Sequence, residues 1–201
     1  MEERRFINDV IKPWEDLNDL LCQNYAVQSD LSEITRLACA LAVSIRHQVD
    51  FFLPFQNKKV SPFCFAHQLI TDLADFSKHG SLHNTGRNCT ITSSSAFEFC
   101  EDKGFRFIRN IVRLNHNTFG EYDFMKISAQ AIGFWIKQKQ ISHNWIGILK
   151  ESLHSFEPIA RLIFNPNFCY SMNSTAFHFL QKNPNGEYVP VEPSWGGLEI
   201  Y

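Results

Sequence analysis

In the segment Asp72-Leu73-Ala74-Asp75-Phe76-Ser77-Lys78-His79, three residues with acid–base chemistry recur at three- and four-residue steps. A helix advances about 100° per residue, so Asp72, Asp75 and His79 fall within about 60° of one another, two carboxylates and an imidazole on one flank. Asp75, four residues before His79, can hold the imidazole in one tautomer, as a general acid or base requires. The structural reading of the same residues is a helix end, where Lys78 and His79 suit the negative pole and the two acids form a solvated flank. Asp75 and His79 also supply two metal ligands, but no third is identifiable, so the expectation is no metal.

Arg46, His47 and Asp50 form a second polar group, expected to lie opposite Phe65 to Gln68, near His67, if their helix and the next run antiparallel. A third runs from Lys103 through Arg106, Arg109 and Arg113 to His116 with no acid between them. Arginine beside the rings of Phe105 and Phe107 has the composition of a nucleic-acid or partner-binding surface. Charges on the outer face of a hairpin, neutralised by Glu98, Glu101, Asp102 and Glu121, are the alternative. There is no phosphate-binding glycine loop, dinucleotide fingerprint, zinc-protease helix or nucleophile elbow, and the six cysteines lack metal-site spacing, so no cofactor is expected.

Apolar residues at helical steps from residue 5 to 25, interrupted by Pro13, predict a kinked helix or two pieces. Asp30 to Glu33 resembles a capping box opening a helix over 31–53. Ser61-Pro62 opens another that Gly80 ends, giving a helical hairpin. Residues 90 to 116 read as a β-hairpin around Glu101–Gly104, although neither alternating face of 103–117 is purely apolar and a helix there stays open. Phe124 to Gln140 predicts an amphipathic helix and 142–164 one or two more, broken by Pro158. Asn185-Gly186 predicts a second hairpin with a type I′ turn.

Ser44-Ile45-Arg46-His47, Asp72-x-x-Asp75-x-x-Lys78-His79, a hairpin and then Ala131-Ile132-Gly133-Phe134-Trp135 resemble, over about residues 30 to 140, helical proteins of bacteria and phages similar to the HEPN group. The resemblance implies a four-to-five-helix bundle, often a ribonuclease of toxin–antitoxin or antiviral defence systems, acting as a homodimer. The residues matching its Arg-polar…His motif are Arg109, Asn110 and His116, provided their segment is helical. In such an enzyme the His takes the 2′-hydroxyl proton and the Arg stabilises the phosphorane, without metal.

The chain has 201 residues, 44% of them hydrophobic, and 19 basic against 21 acidic side chains, which excludes a globally basic nucleic-acid binder. The charged start predicts no leader peptide, with the mature chain beginning at Met1, and no run is long enough to span a membrane. Scattered cysteines predict a reducing, cytoplasmic setting. The fold expected is mainly α with small β elements, an α+β helical bundle: 1–164 with a hairpin near 90–116, and a C-terminal extension, 165–201, packed on the same domain with a short hairpin. The function expected is an RNA-acting protein of a toxin, defence or counter-defence setting, with RNA as partner. The alternative is a non-enzymatic protein-interaction module, an inhibitor or assembly subunit with a protein partner and an aromatic and basic surface. The excess of 19 Phe makes the rings of 97–107 the first place to look for that surface.

Overall fold

The computed structural model of the chain describes residues 2–23, 31–52, 64–162, 176–193 and 198–200. Helices α1 (Glu2–Phe6), α2 (Lys12–Gln23), α3 (Leu31–Phe52) and α4 (Phe65–His79) precede strands β1 (Cys89–Cys100), β2 (Gly104–His116) and β3 (Gly120–Asp123). Helix α5 (Phe124–Lys139) follows, then β4 (Ala160–Leu162), β5 (Ala176–Lys182), β6 (Tyr188–Pro190) and β7 (Leu198–Ile200). Five strands make one mixed sheet in the order β3-β2-β1-β5-β6, and β4 pairs with β7.

This corrects the expected fold. The chain is α+β around a five-stranded sheet, not a helical bundle with small hairpins. The two hairpins are not separate appendages, because β5 runs parallel to β1 in the register Ser94↔Ala176 to Glu98↔Leu180. A parallel pair joined across some eighty residues leaves no turn signal for a sequence reading to detect. Nor is 142–162 helical, residues 163 and 164 lying outside the described residues: residues 141–156 run without regular structure and Ala160–Leu162 is strand. The reason is competition for the backbone, since Ser152 donates its N–H to the Ile108 carbonyl (2.7 Å) and Phe105 and Glu157 exchange reciprocal bonds (2.8 Å each).

Locally the chemistry was readable. Pro13 cannot donate to a carbonyl four residues back and its ring crowds it, so the helix widens to a π segment at Ile7–Ile11, where Lys12 donates to Ile7. Helix α4 starts at Phe65, with the His67 amide donating to the Cys64 sulfur, and stops at Gly80 in the left-handed region. The predicted openings at Asp30 and Pro62 lie outside the described residues. Helix α5 is capped by Asp123, which accepts from Met125 and Lys126. In the last hairpin Gly186 has φ +80° while Asn185 does not, so the turn is not type I′. Instead Asn183 accepts from the amides of Asn185 and Glu187 and Pro184 presets the first turn residue.

The chain divides into two compact units: residues 1–18, 35–92 and 112–149, and residues 19–34, 93–111 and 150–201. The first has a core of Phe6, Trp14, Ile45, Leu69, Leu73, Phe124 and Trp135, with the Trp14 indole donating to Ser128 (3.0 Å). The second has an aromatic core in which Phe97 meets Phe107 and Phe179, and Phe105 meets Phe99 and Phe179, at centroid separations of 5.0 to 6.0 Å. Edge-to-face and tilted pairs at these distances add to what burial alone contributes.

Gly104 (φ +89°) has room for no side chain, because a Cβ there would sit on the Glu157 carbonyl oxygen and against Pro158. Gly120 (φ +85°) faces open space. Gly104→Ala is therefore expected to cost about 3 kcal/mol or more, backbone strain plus collision, whereas Gly120→Ala costs only the strain, about 1–2 kcal/mol. Urea unfolding of both variants checks the order.

Candidate functional site

Helix α4 places Asp72 and Asp75 on one flank, as their spacing dictates, and Asp72 is 2% exposed. A carboxylate that buried has to be matched. Its partner is Arg87, delivered by a short loop: Asn84 accepts from the Gly86 amide (3.1 Å), Asn88 from the Leu82 amide (3.1 Å), and a 3-10 turn spans Thr85–Arg87. Arg87 Nε donates to Asp72 Oδ1 (2.6 Å) and Nη2 to Asp75 Oδ2 (3.2 Å). Hydrogen bonding to Asp72 pushes the Arg87 pKa further up, so the guanidinium stays charged.

The other Asp72 oxygen meets His116, the last residue of β2, whose side chain is 1% exposed; Nε2 lies 3.2 Å from Oδ2. Nδ1 faces the amides of Thr118 (3.1 Å) and Phe119 (3.3 Å), which can only donate. The geometry therefore assigns the neutral tautomer with the proton on Nε2, donated to Asp72. An Asp–His pair is half of a general-base apparatus, but here the nitrogen that would take a substrate proton is occupied by the main chain. The nearby buried thiol of Cys89 is no nucleophile either. Burial, and then the Asp72 charge, push its pKa up to about 12.

The polar chain continues onto α3. Arg46 lies between Asp75 (3.4 Å) and Asp50 (3.3 Å), and His47 between Asp50 (3.0 Å) and the Lys78 ammonium (3.0 Å). Arg46 and His47 thus reach the C-terminal half of α4, not the Phe65–Gln68 end expected for them. From His116 to His47 acids and bases alternate, which lowers the cost of holding three carboxylates together. His79, chosen from sequence as the imidazole of this cluster, is exposed at the helix end. The histidine that joins Asp72 comes from a strand more than thirty residues later. No spacing rule points to it, and Arg87 stands in an Asn- and Gly-containing loop with no motif around it.

The segment 104–116 is strand, not helix. On a strand, residues seven apart face opposite sides and lie about 23 Å apart, so Arg109 and His116 do not form the Arg…His arrangement of a helical motif. Arg109 is buried and donates to the carbonyls of Asn110 and Lys150 (3.2 Å each), and Asn110 accepts from Ser95 (2.7 Å). Of the expected binding residues, Arg106 is engaged by Glu98 (2.6 Å), Glu151 (3.0 Å) and Tyr188 (2.8 Å). Arg113 pairs with Glu121 (2.7 Å), and the Lys103 ammonium sits 5.7 Å from the Phe156 ring centre. Phe105 and Phe107 are core.

No family profile, curated protein or solved structure matches the chain. Among the described residues no group of three metal-ligating side chains converges, and no helix is long and apolar enough to cross a membrane.

Two measurements follow. Arg87→Met leaves Asp72 buried without its cation and is expected to cost about 3 kcal/mol in chemical denaturation, while the double replacement Asp72→Leu/Arg87→Met costs less than that single change. The second concerns His67 on α4, buried against Trp135 (5.4 Å). Burial pushes its pKa down to about 4, the Ile45 carbonyl opposing and the Arg46 charge assisting. The unfolded chain binds a proton near 6.5 and the native chain resists until about 4, so stability is lost as pH falls through that window, by at most about 3 kcal/mol. His67→Phe should flatten this dependence between pH 4 and 6.5, since Thr71 keeps its bond to the His67 carbonyl.

Proposed function

We propose that the chain is a non-enzymatic protein-interaction module whose contact surface in the first unit is the ring set Phe65, Phe119 and Tyr122. The observation that carries this reading is that large rings stand half out of the surface in a fixed arrangement. Phe65 is 44% and Phe119 39% exposed, yet Phe65 meets Phe119 edge-on at 5.1 Å and Tyr122 at 5.8 Å. Beneath them, Phe119 stacks on the His116 ring (4.7 Å) and donates its amide to it. Rigid aromatic anchors lose little conformational entropy on binding and carry most of the energy of protein interfaces. The Asp72–His116–Arg87 cluster then serves as the base that holds the rings still.

The endoribonuclease reading that the resemblance implies would draw on Arg109, Asn110 and His116. Their present partners are main-chain carbonyls, Ser95 and Asp72, and the cations of β2 are turned to Glu98, Glu151, Glu121 and Phe156. That distribution favours the interaction reading over an RNA surface.

Cross-linking in the source cells, with the wild type and with Phe65→Ser/Phe119→Ser, tests the proposal. Loss of an aromatic anchor is worth about 2 kcal/mol, so the partner captured by the wild type should fall by about thirtyfold in affinity for the variant. Equal capture by both, or cleavage of varied RNAs by clean protein that His116→Ala abolishes, contradicts it.

A further inference from the structure

The second unit contains a cleft of about 690 Å³ beside the β1–β2 turn. Sites for small ligands and inserted side chains have volumes of this order, roughly 300–1,000 Å³. Its apolar lining is Phe99, Phe105, Pro158 and Val191, with the Phe99 and Phe105 rings 5.0 Å apart. Gly104, where any Cβ would strike Glu157, together with the reciprocal Phe105–Glu157 bonds, fixes one wall of the cleft against the strand. The polar lining is unbalanced. Glu101, Asp102 and Glu192 face it, and the one cation, Lys103, has its ammonium near the Phe156 ring.

We infer that this cleft takes an arginine-bearing basic segment of a protein partner, the side-chain stem and an adjacent apolar residue against Phe99, Val191 and Pro158 and the guanidinium among the three carboxylates. This rests on the interaction-module reading and adds a second, chemically distinct surface to it. Charge complementarity selects the occupant: three acids against one lysine exclude an anionic ligand, and aromatic rings beside carboxylates suit guanidinium, which stacks on a ring face and bonds carboxylates in pairs. The space exceeds one side chain, so a short segment enters rather than a single residue. Because the acids are exposed at the rim, the attraction acts on encounter and weakens with salt.

The probe is acetyl-Arg-Phe-Arg-amide titrated into the full chain and followed by amide chemical shifts, with acetyl-Glu-Phe-Glu-amide as its counterpart. The basic peptide should shift Phe99, Gly104, Phe105 and Val191, and the acidic one should not. The triple variant Glu101→Gln/Asp102→Asn/Glu192→Gln should bind about tenfold more weakly, and Lys103→Gln about twofold more tightly. Rim side chains are exposed, so both variants keep the fold, which the unchanged remainder of the spectrum verifies. Equal shifts with both peptides, shifts confined to other residues, no binding, or affinity unchanged in the triple variant would overturn the inference. Phe65→Ser/Phe119→Ser should bind the peptide normally. If the peptide fails while that variant still loses its captured partner, this inference falls and the proposed function stands; the reverse outcome removes the ring surface alone.

Discussion

A carboxylate in the middle of a helix and 2% exposed sets the terms for everything around it in the first unit. A carboxylate buried there needs polar partners, and they have to come from elsewhere in the chain because its own helix turn offers none. The loop after α4 supplies Arg87, and two Asn side chains hold that loop in shape. The end of β2 supplies His116, oriented by the amides of Thr118 and Phe119 in the β2–β3 connection. One buried charge thus ties a helix, a loop, a strand end and a turn, and the exposed rings of Phe119 and Phe65 rest on the far side of that tie.

Strand β2 poses a different problem. Along β2 the buried residues fall on one alternation at Phe105 and Phe107 and on the other at Val112, Leu114 and His116, and the four residues Phe107 to Asn110 are all buried. Polar groups in such a stretch must be satisfied internally, which is why Arg109 spends its donors on carbonyls and Asn110 on Ser95. Residues that look like chemistry in a linear reading are there consumed by the fold. Earlier on the same strand, Arg106 gathers Glu98, Glu151 and Tyr188 and closes the network around its own charge.

This pattern also explains what the sequence could and could not reveal. Helices α3, α4 and α5 and both hairpins follow from local periodicity and, at Gly80, from the helix stop, and the structure keeps them close to where the residues place them. The strand β2 was ambiguous because its buried face changes along its length, so neither face is uniformly apolar and a helix fits as well on paper. The sheet itself was illegible: β5 joins β1 in parallel, and β3 is four residues long. At the polar cluster, spacing on one helix found Asp72 and Asp75. It named the wrong histidine, because His79 shares their helix face whereas His116 arrives only through the tertiary fold, and it passed over Arg87 in its loop.

Taken together, the polar cluster reads as a fastening and the rings above it as a surface for a partner. The distinction between a fastening and a catalytic pair lies in one proton. Nitrogen-15 correlation spectra of His116 at neutral pH report which ring nitrogen carries it. A single neutral tautomer is expected, protonated at Nε2, with Nδ1 bare and bonded by the amides of Thr118 and Phe119. A proton on Nδ1, or a ring averaging between tautomers, would contradict it.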